Sequence, residues 1–215
     1  MRHHRLAAAL VAATAAALVA ASPASAVTAL TRSQVAHATL SAADLGTGWH
    51  SYDASSSGAD PSVKGCPGTT YQTVGLRYEV QRDYQFATSP TFVNEDLQTF
   101  RTMLGASRDF TRGVKAFSAC ATMTVDGKPW TVRRLSVADY ADRTALFRLR
   151  GVVATAAGDV PLVMFLAVAK LGHHEIVTVT IVGGQVTTAE LTSIRSSSVR
   201  INRLATAKVR ARLGR

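Results

Sequence analysis

The sequence predicts an α+β fold: an antiparallel sheet of about five to six strands with helices packed on it, in a single domain. Three observations carry this expectation. Apolar residues alternate with a period of two through most of the second half of the chain, as in GLRYEVQRDY and EIVTVTIVG. The connections between these runs are short and rich in glycine, which favours antiparallel neighbours. Helical patterns bracket the strands and interrupt them once, so helices gather on an antiparallel sheet.

The chain has 215 residues and a formal net charge of +10. It opens with a basic MRHHR, then an apolar LAAALVAATAAALVAA, then Ala24-Ser25-Ala26 after Pro23. That order is a secretory signal peptide spanning residues 1–26. Its apolar run is short for a bilayer span, which needs roughly 20 residues. Removing 26 residues leaves 189 and lowers the charge to +8, because the leader holds two arginines and no acids. The domain is expected over residues 27–206, followed by a basic C-terminal tail at 207–215. No transmembrane segment is expected after cleavage. The destination is secreted or extracellular, with cell-wall association the finer expectation.

Cys66 and Cys120 are the only cysteines. In an exported chain two cysteines most simply pair with each other. A loop of that length gives roughly 4 kcal/mol by chain-entropy arithmetic.

The elements follow in order. SQVAHATLSAADL is helical, with Ser41 and Asp44 near a capping box and Gly46 as its stop. Trp49 is expected to fold back over Leu45 as a packing residue; the rival reading makes it a stacking platform in a cleft. Residues 50–70, rich in Ser, Gly, Asp and Pro, read as a long loop holding Cys66. Strands follow at GLRYEVQRDY and FVNEDLQTF. Ser107 is expected to cap a helix whose apolar face is Phe110, Val114 and Phe117, ending at Cys120. Asp126-Gly127 turns the chain between strand-like runs, and WTVRRLSV and TALFRLRGVV are strands. Gly158-Asp159 is a turn. LVMFLAVA, apolar on both faces, should be central. Gly172 turns into EIVTVTIVG. Thr187 and Glu190 form a capping box for a last helix burying Leu191, Ile194, Ile201 and Ala205, with Ser198 on the same face.

ADLGTGW, the helix ending in FSAC at Cys120, the paired strands LVMFLAVAKLGHHEIVTVTIVG and the closing amphipathic helix form a resemblance over residues 35–205. Their order and spacing resemble the extracellular sensor-like domain attached to some mycobacterial serine/threonine kinases. The same domain occurs alone in many exported actinobacterial proteins. The resemblance implies a sheet flanked by helices and a cleft that binds a ligand. The chain departs from the kinase-linked form in having cysteines for one disulfide instead of two, and neither a kinase domain nor a membrane helix is expected within these 215 residues. The PsbP-like lipoproteins are the structural runner-up.

Chemical motifs are scarce. His173-His174-Glu175 lacks the four-residue helical spacing of zinc proteases, and adjacent strand residues face opposite sides, so a solvated turn is expected there. There is no Gly-x-Ser-x-Gly elbow, and GGQVTTAEL lacks the lysine of a phosphate loop. Glu95 and Asp96 would face opposite sides of their strand. The expectation is no enzyme, no catalytic residue, no cofactor and no metal.

Charge is the remaining signal. After Glu190 the chain has no acid but carries Arg195, Arg200, Arg203, Lys208, Arg210, Arg212 and Arg215. With Arg148 and Arg150, residues Arg195, Arg200 and Arg203 are candidate anion-binding groups for envelope polymers or lipid head groups. Nucleic acid is not expected, because no aromatic stacking pattern accompanies the charge. The leading functional expectation, from the resemblance, is a non-catalytic domain binding a small molecule or cell-wall component. A wall-associated structural or adhesion protein is the alternative, and a hydrolase without a recognisable motif stands third.

Overall fold

The computed structural model describes residues 28–52, 63–66 and 73–214. The expected signal peptide and most of the expected 50–70 loop lie outside the described residues. The order is α1 (Arg32–Ala38), α2 (Ala42–Leu45), β1 (Trp49–Tyr52), β2 (Val63–Lys64), β3 (Leu76–Phe86), β4 (Thr91–Phe100), α3 (Met103–Ser118), β5 (Thr122–Val125), β6 (Lys128–Leu135), β7 (Arg143–Thr155), β8 (Gly158–Leu171), β9 (His174–Gly183) and α4 (Thr188–Arg212).

All strands join one antiparallel sheet in the order β1-β3-β4-β9-β8-β7-β6-β5-β2. The fold class is as expected, but the sheet is larger. Eight strands have four or more residues, and β2 adds a two-residue ninth at one edge. Strands as short as β1, β2 and β5 offer too few residues for a period of two to show. β8 lies fifth of nine, in the central place its apolar run requires.

The two faces of the sheet are covered differently. On one, here face A, α1, α2 and α4 bury Val35, Leu45, Leu97, Ile176, Ile201 and Val209 with their neighbours. On the other, face B, α3 lays Phe110, Val114 and Phe117 against Phe147, Leu149 and Trp130.

Local chemistry fixes the ends of these elements. Thr31, Ser41 and Thr187 each form a capping box, with Gln34, Asp44 and Glu190. α3 starts five residues earlier than expected. Its cap is Thr102, whose hydroxyl accepts from the Gly105 N–H at 2.9 Å, and Ser107 lies inside the helix. Met103 and Leu104 are exposed, so the first turn has no apolar face to betray it. The β5–β6 hairpin turns on Asp126-Gly127, both at positive φ. The next turn is Ala156-Ala157, not Gly158-Asp159, because Thr155 pairs with Gly158.

α4 also runs further than expected. Residues 207–212 belong to the helix instead of a separate tail, since Val209 is fully buried. Lys208 pairs with Asp44, and Arg210 donates to the Tyr140 carbonyl at 2.8 Å. Of the residues expected inside α4, Ile201, Ala205 and Ser198 are buried, while Leu191 and Ile194 are half-buried. Among the described residues no helix is long and apolar enough to cross a membrane.

Candidate functional site

Face B holds a cleft beside α3. Through the middle of β8 and of β9 burial alternates. Val163, Phe165, Ala167, Ile176, Thr178 and Thr180 point to face A and are buried. Leu162, Met164, Leu166, Val168, Val177, Val179 and Ile181 point to face B and are only half-buried. α3 has sixteen residues and cannot cover so wide a sheet. The apolar floor it leaves is a cleft of about 370 Å³ with no polar lining, walled by Trp130, Leu149, Met164, Val179 and Ile181.

Trp130 is placed there by Gly151, the residue facing it across the β6–β7 ladder. A β-carbon on Gly151 would sit 2.2 Å from the indole, so only glycine lets the ring lie flat against the strand. The indole N–H donates to the Val152 carbonyl at 3.2 Å.

Beside the cleft, towards the other end of α3, lies a second space of about 260 Å³, with Phe117 and Leu166 lining both. This inner end is lined by Phe110, Val114, Phe147 and Val177, and by Gln98, Asp109 and Glu175. Glu175 is 5% exposed. The backbone of Phe110 favours its charged form, while its Oε1 has no partner among the described residues. Burial pushes its carboxyl up to about 8, with the charge of Asp109 adding to the effect. Burial also raises Asp96 to about 6, although the Gln98 amide donates to its Oδ2 at 2.6 Å. Asp109 accepts from the Val74 N–H at 3.1 Å.

Face A shows what buried polar groups do elsewhere. A solvated turn is expected at His173-His174, but the turn is Gly172-His173 and His174 opens β9. His174 is fully buried; its Nε2 accepts from the Leu30 N–H and its Nδ1 lies 3.0 Å from the Thr99 hydroxyl. The ring ties the segment before α1 to β4. Asn202 joins α4 to the sheet, donating to the Ala167 and Ile176 carbonyls and accepting from the Tyr140 hydroxyl. Glu95 accepts from the Leu40 N–H at 2.7 Å, and burial raises it to about 7. Glu95 and Asp96 face opposite sides, as their adjacency requires.

Trp49 lies on β1, half-buried, edge-on to Phe86 at 5.4 Å and against the face-A core. It also borders a surface pocket of about 360 Å³ between α4 and the sheet, which Thr180 lines from beneath. Both readings of this residue therefore touch an observation.

The disulfide joins Cys66 to Cys120 with a Cα–Cα distance of 5.3 Å, fastening β2 to the end of α3. The candidate anion-binding arginines are not gathered at one place. Arg148 and Arg150 stand on β7 beside Arg133, and burial together with these like charges lowers the Arg148 pKa. Arg195 donates to the Ser136 carbonyl at 2.6 Å, Arg203 lies 5.0 Å over the Tyr140 ring, and Arg200 is exposed on α4. Arg195 and Arg203 flank a wide open concavity of about 690 Å³. Among the described residues no group of His, Cys, Asp and Glu has metal-holding geometry.

No sequence signal pointed to Glu175 as a cleft residue. The HHE triplet drew attention to it, but only the register of β9 reveals which face it takes.

No family model and no curated protein matches the sequence. Among solved structures, the chain is similar to the extracellular domain of PknH from Mycobacterium tuberculosis. The TM-score is 0.54 at 11% identity, covering 83% of this chain and 98% of that domain. The likeness is one of fold, and it agrees with the resemblance read from the order of motifs.

Proposed function

We propose that this chain is a non-catalytic extracellular domain that binds a small amphipathic molecule of the cell envelope in the face-B cleft. The observation that carries the reading is the half-exposed apolar stripe of β8 and β9. A central strand apolar on both sides normally buries both, and here one side opens onto a cleft. The fold likeness to an extracellular kinase domain and the disulfide support a place outside the cell.

The test is displacement of a neutral apolar dye, N-phenyl-naphthylamine, by envelope lipid extracts. Dye fluorescence should rise on binding the protein and fall as extract is added. Met164→Arg should abolish the rise while leaving the melting curve cooperative. A dye that binds Met164→Arg and wild type alike would overturn the reading.

A second reading rests on Arg133, Arg148 and Arg150, which crowd one end of face A. Such a patch suits a phosphate-bearing wall polymer, whose capture would weaken steeply with salt. Pull-down by insoluble wall material at low and high salt tests it, and salt-independent retention would sink it.

A further inference from the structure

We propose that the inner end of the face-B cleft is a cation subsite, taking the ammonium head of an alkylamine-type amphiphile against Glu175 while the tail lies in the apolar floor. The inference rests on the cleft reading above and adds the charge of its occupant.

Four observations support it. Glu175 lines this space and is only 5% exposed, yet its Oε1 has no hydrogen-bond partner among the described residues. Such an atom normally finds a donor. Second, the charges facing Glu175 are mainly of its own sign. Asp109 on α3 and Asp96 on β4 both act on it, and Glu79 on β3 acts on Asp96. Third, the basic groups nearby are engaged elsewhere. Lys170, paired with Glu175 across the β8–β9 ladder, is held by Asp142 at 2.9 Å. Arg143 lies over the Phe110 ring and donates to Thr111. Fourth, the polar space and the apolar floor adjoin, with Phe117 and Leu166 lining both.

The chemistry of the head follows. An anionic head would add a charge to a site already crowded with carboxyls. A hydroxyl head offers one donor and no charge. An ammonium offers three donors and the counter-charge, and its bonds to carboxylate are of the stronger, charge-assisted kind. Binding it would ionise Glu175, which burial and its neighbours otherwise keep protonated near neutral pH, so one proton leaves as the amine enters.

The experiment compares n-decylamine, n-decanol and decanoate by calorimetry at pH 7 with the full chain, in two buffers of different ionisation enthalpy. Decylamine should bind at least tenfold more tightly than decanoate and release close to one proton. Glu175→Gln should cost decylamine at least tenfold in affinity, abolish the proton release and leave decanol unchanged. Lys170→Met, which removes a nearby cation, should not weaken decylamine. Equal affinity for the three probes, or decylamine binding untouched by Glu175→Gln, would overturn the cation subsite and leave the apolar cleft standing. Failure of all three to bind a protein that melts cooperatively would overturn both.

Discussion

Glu95 and Glu175 are two buried glutamates on neighbouring strands, facing opposite sides of one sheet. Burial raises the pKa of both, to about 7 and about 8. Each also has one carboxyl oxygen without a hydrogen-bond partner among the described residues. By titration alone they would be the same kind of residue. Their surroundings separate them. Glu95 is fully buried under the α1–α2 connection and holds the Leu40 N–H in place. Glu175 lines a space large enough for part of a ligand. Perturbed ionisation marks both structural clasps and binding groups, and open volume beside the group decides between them.

The same contrast runs along β8, where it is easiest to break. Phe165 and Met164 are adjacent and point to opposite faces. Phe165 is 1% exposed in the face-A core, so Phe165→Ala should cost roughly 3–5 kcal/mol. Met164 is half-buried on the cleft floor, so Met164→Ala should cost about 1 kcal/mol while weakening dye binding. Denaturant melts of the two variants check this. Equal losses would mean that face B is as closed as face A, and the cleft reading would lose its ground.

A smaller effect tests the wall of the cleft. Gly151→Ala drives a methyl into the Trp130 indole, so the ring must leave its seat. Overpacking of this kind costs roughly 1–3 kcal/mol. The displaced indole should change its emission spectrum and narrow the cleft. An unaltered spectrum with unaltered stability would show that Trp130 is not fixed by Gly151.

The two glutamates themselves give a pH test. A carboxyl raised on folding favours the native state at low pH, because the unfolded chain gives up its proton first. Stability is therefore fully present below about 4.5 and is lost as pH rises through the folded value. The window is roughly pH 4.5–7 for Glu95 and 4.5–8 for Glu175. Glu175→Gln should leave stability at pH 4.5 nearly unchanged and raise it at pH 8.5. Glu95→Gln should act alike but complete its effect near pH 7. Thermal melts across that range check the order. A Glu175→Gln protein less stable than wild type at pH 8.5 would mean the carboxylate already has a partner.

The parts of this architecture visible in the sequence are those where one local rule decides. Capping boxes at Ser41 and Thr187, the Asp126-Gly127 turn and the long alternating strands are of that kind. So is the Cys66–Cys120 bond, which had no rival pairing. What stayed hidden depends on partners far away in the chain. His174 reads as a turn residue until Leu30 and Thr99 are brought beside it. LVMFLAVA correctly marks a central strand, but its pattern cannot say that α3 is too short to cover one side. Glu175 becomes a cleft residue only through the register with Lys170 and the nearness of Asp109.

Trp49 gives the smallest expected effect, and it sits where the contrast between faces is weakest. The sequence expectation was a packing residue after a helix stop, and the stop is there. Gly46 takes a positive φ and closes α2, and Gly48, also at positive φ, lets Phe86 come close. A β-carbon at Gly48 would meet the Phe86 ring at 2.7 Å, so these glycines serve the aromatic pair. Yet Trp49 is only half-buried, and it borders a pocket lined by Thr180, whose hydroxyl has no partner among the described residues. Full burial would give roughly 3–5 kcal/mol for Trp49→Ala. With one edge on Phe86 and part of the ring in solvent, about 1–2 kcal/mol is expected, the aromatic contact supplying roughly 0.5–1.5 of it. Melts of Trp49→Ala and Trp49→Phe decide the matter. Phe keeps an edge contact and should recover at least half of the loss. A Trp49→Ala protein that melts like wild type would remove packing as the role of the indole and leave the face-A pocket as the reason for it.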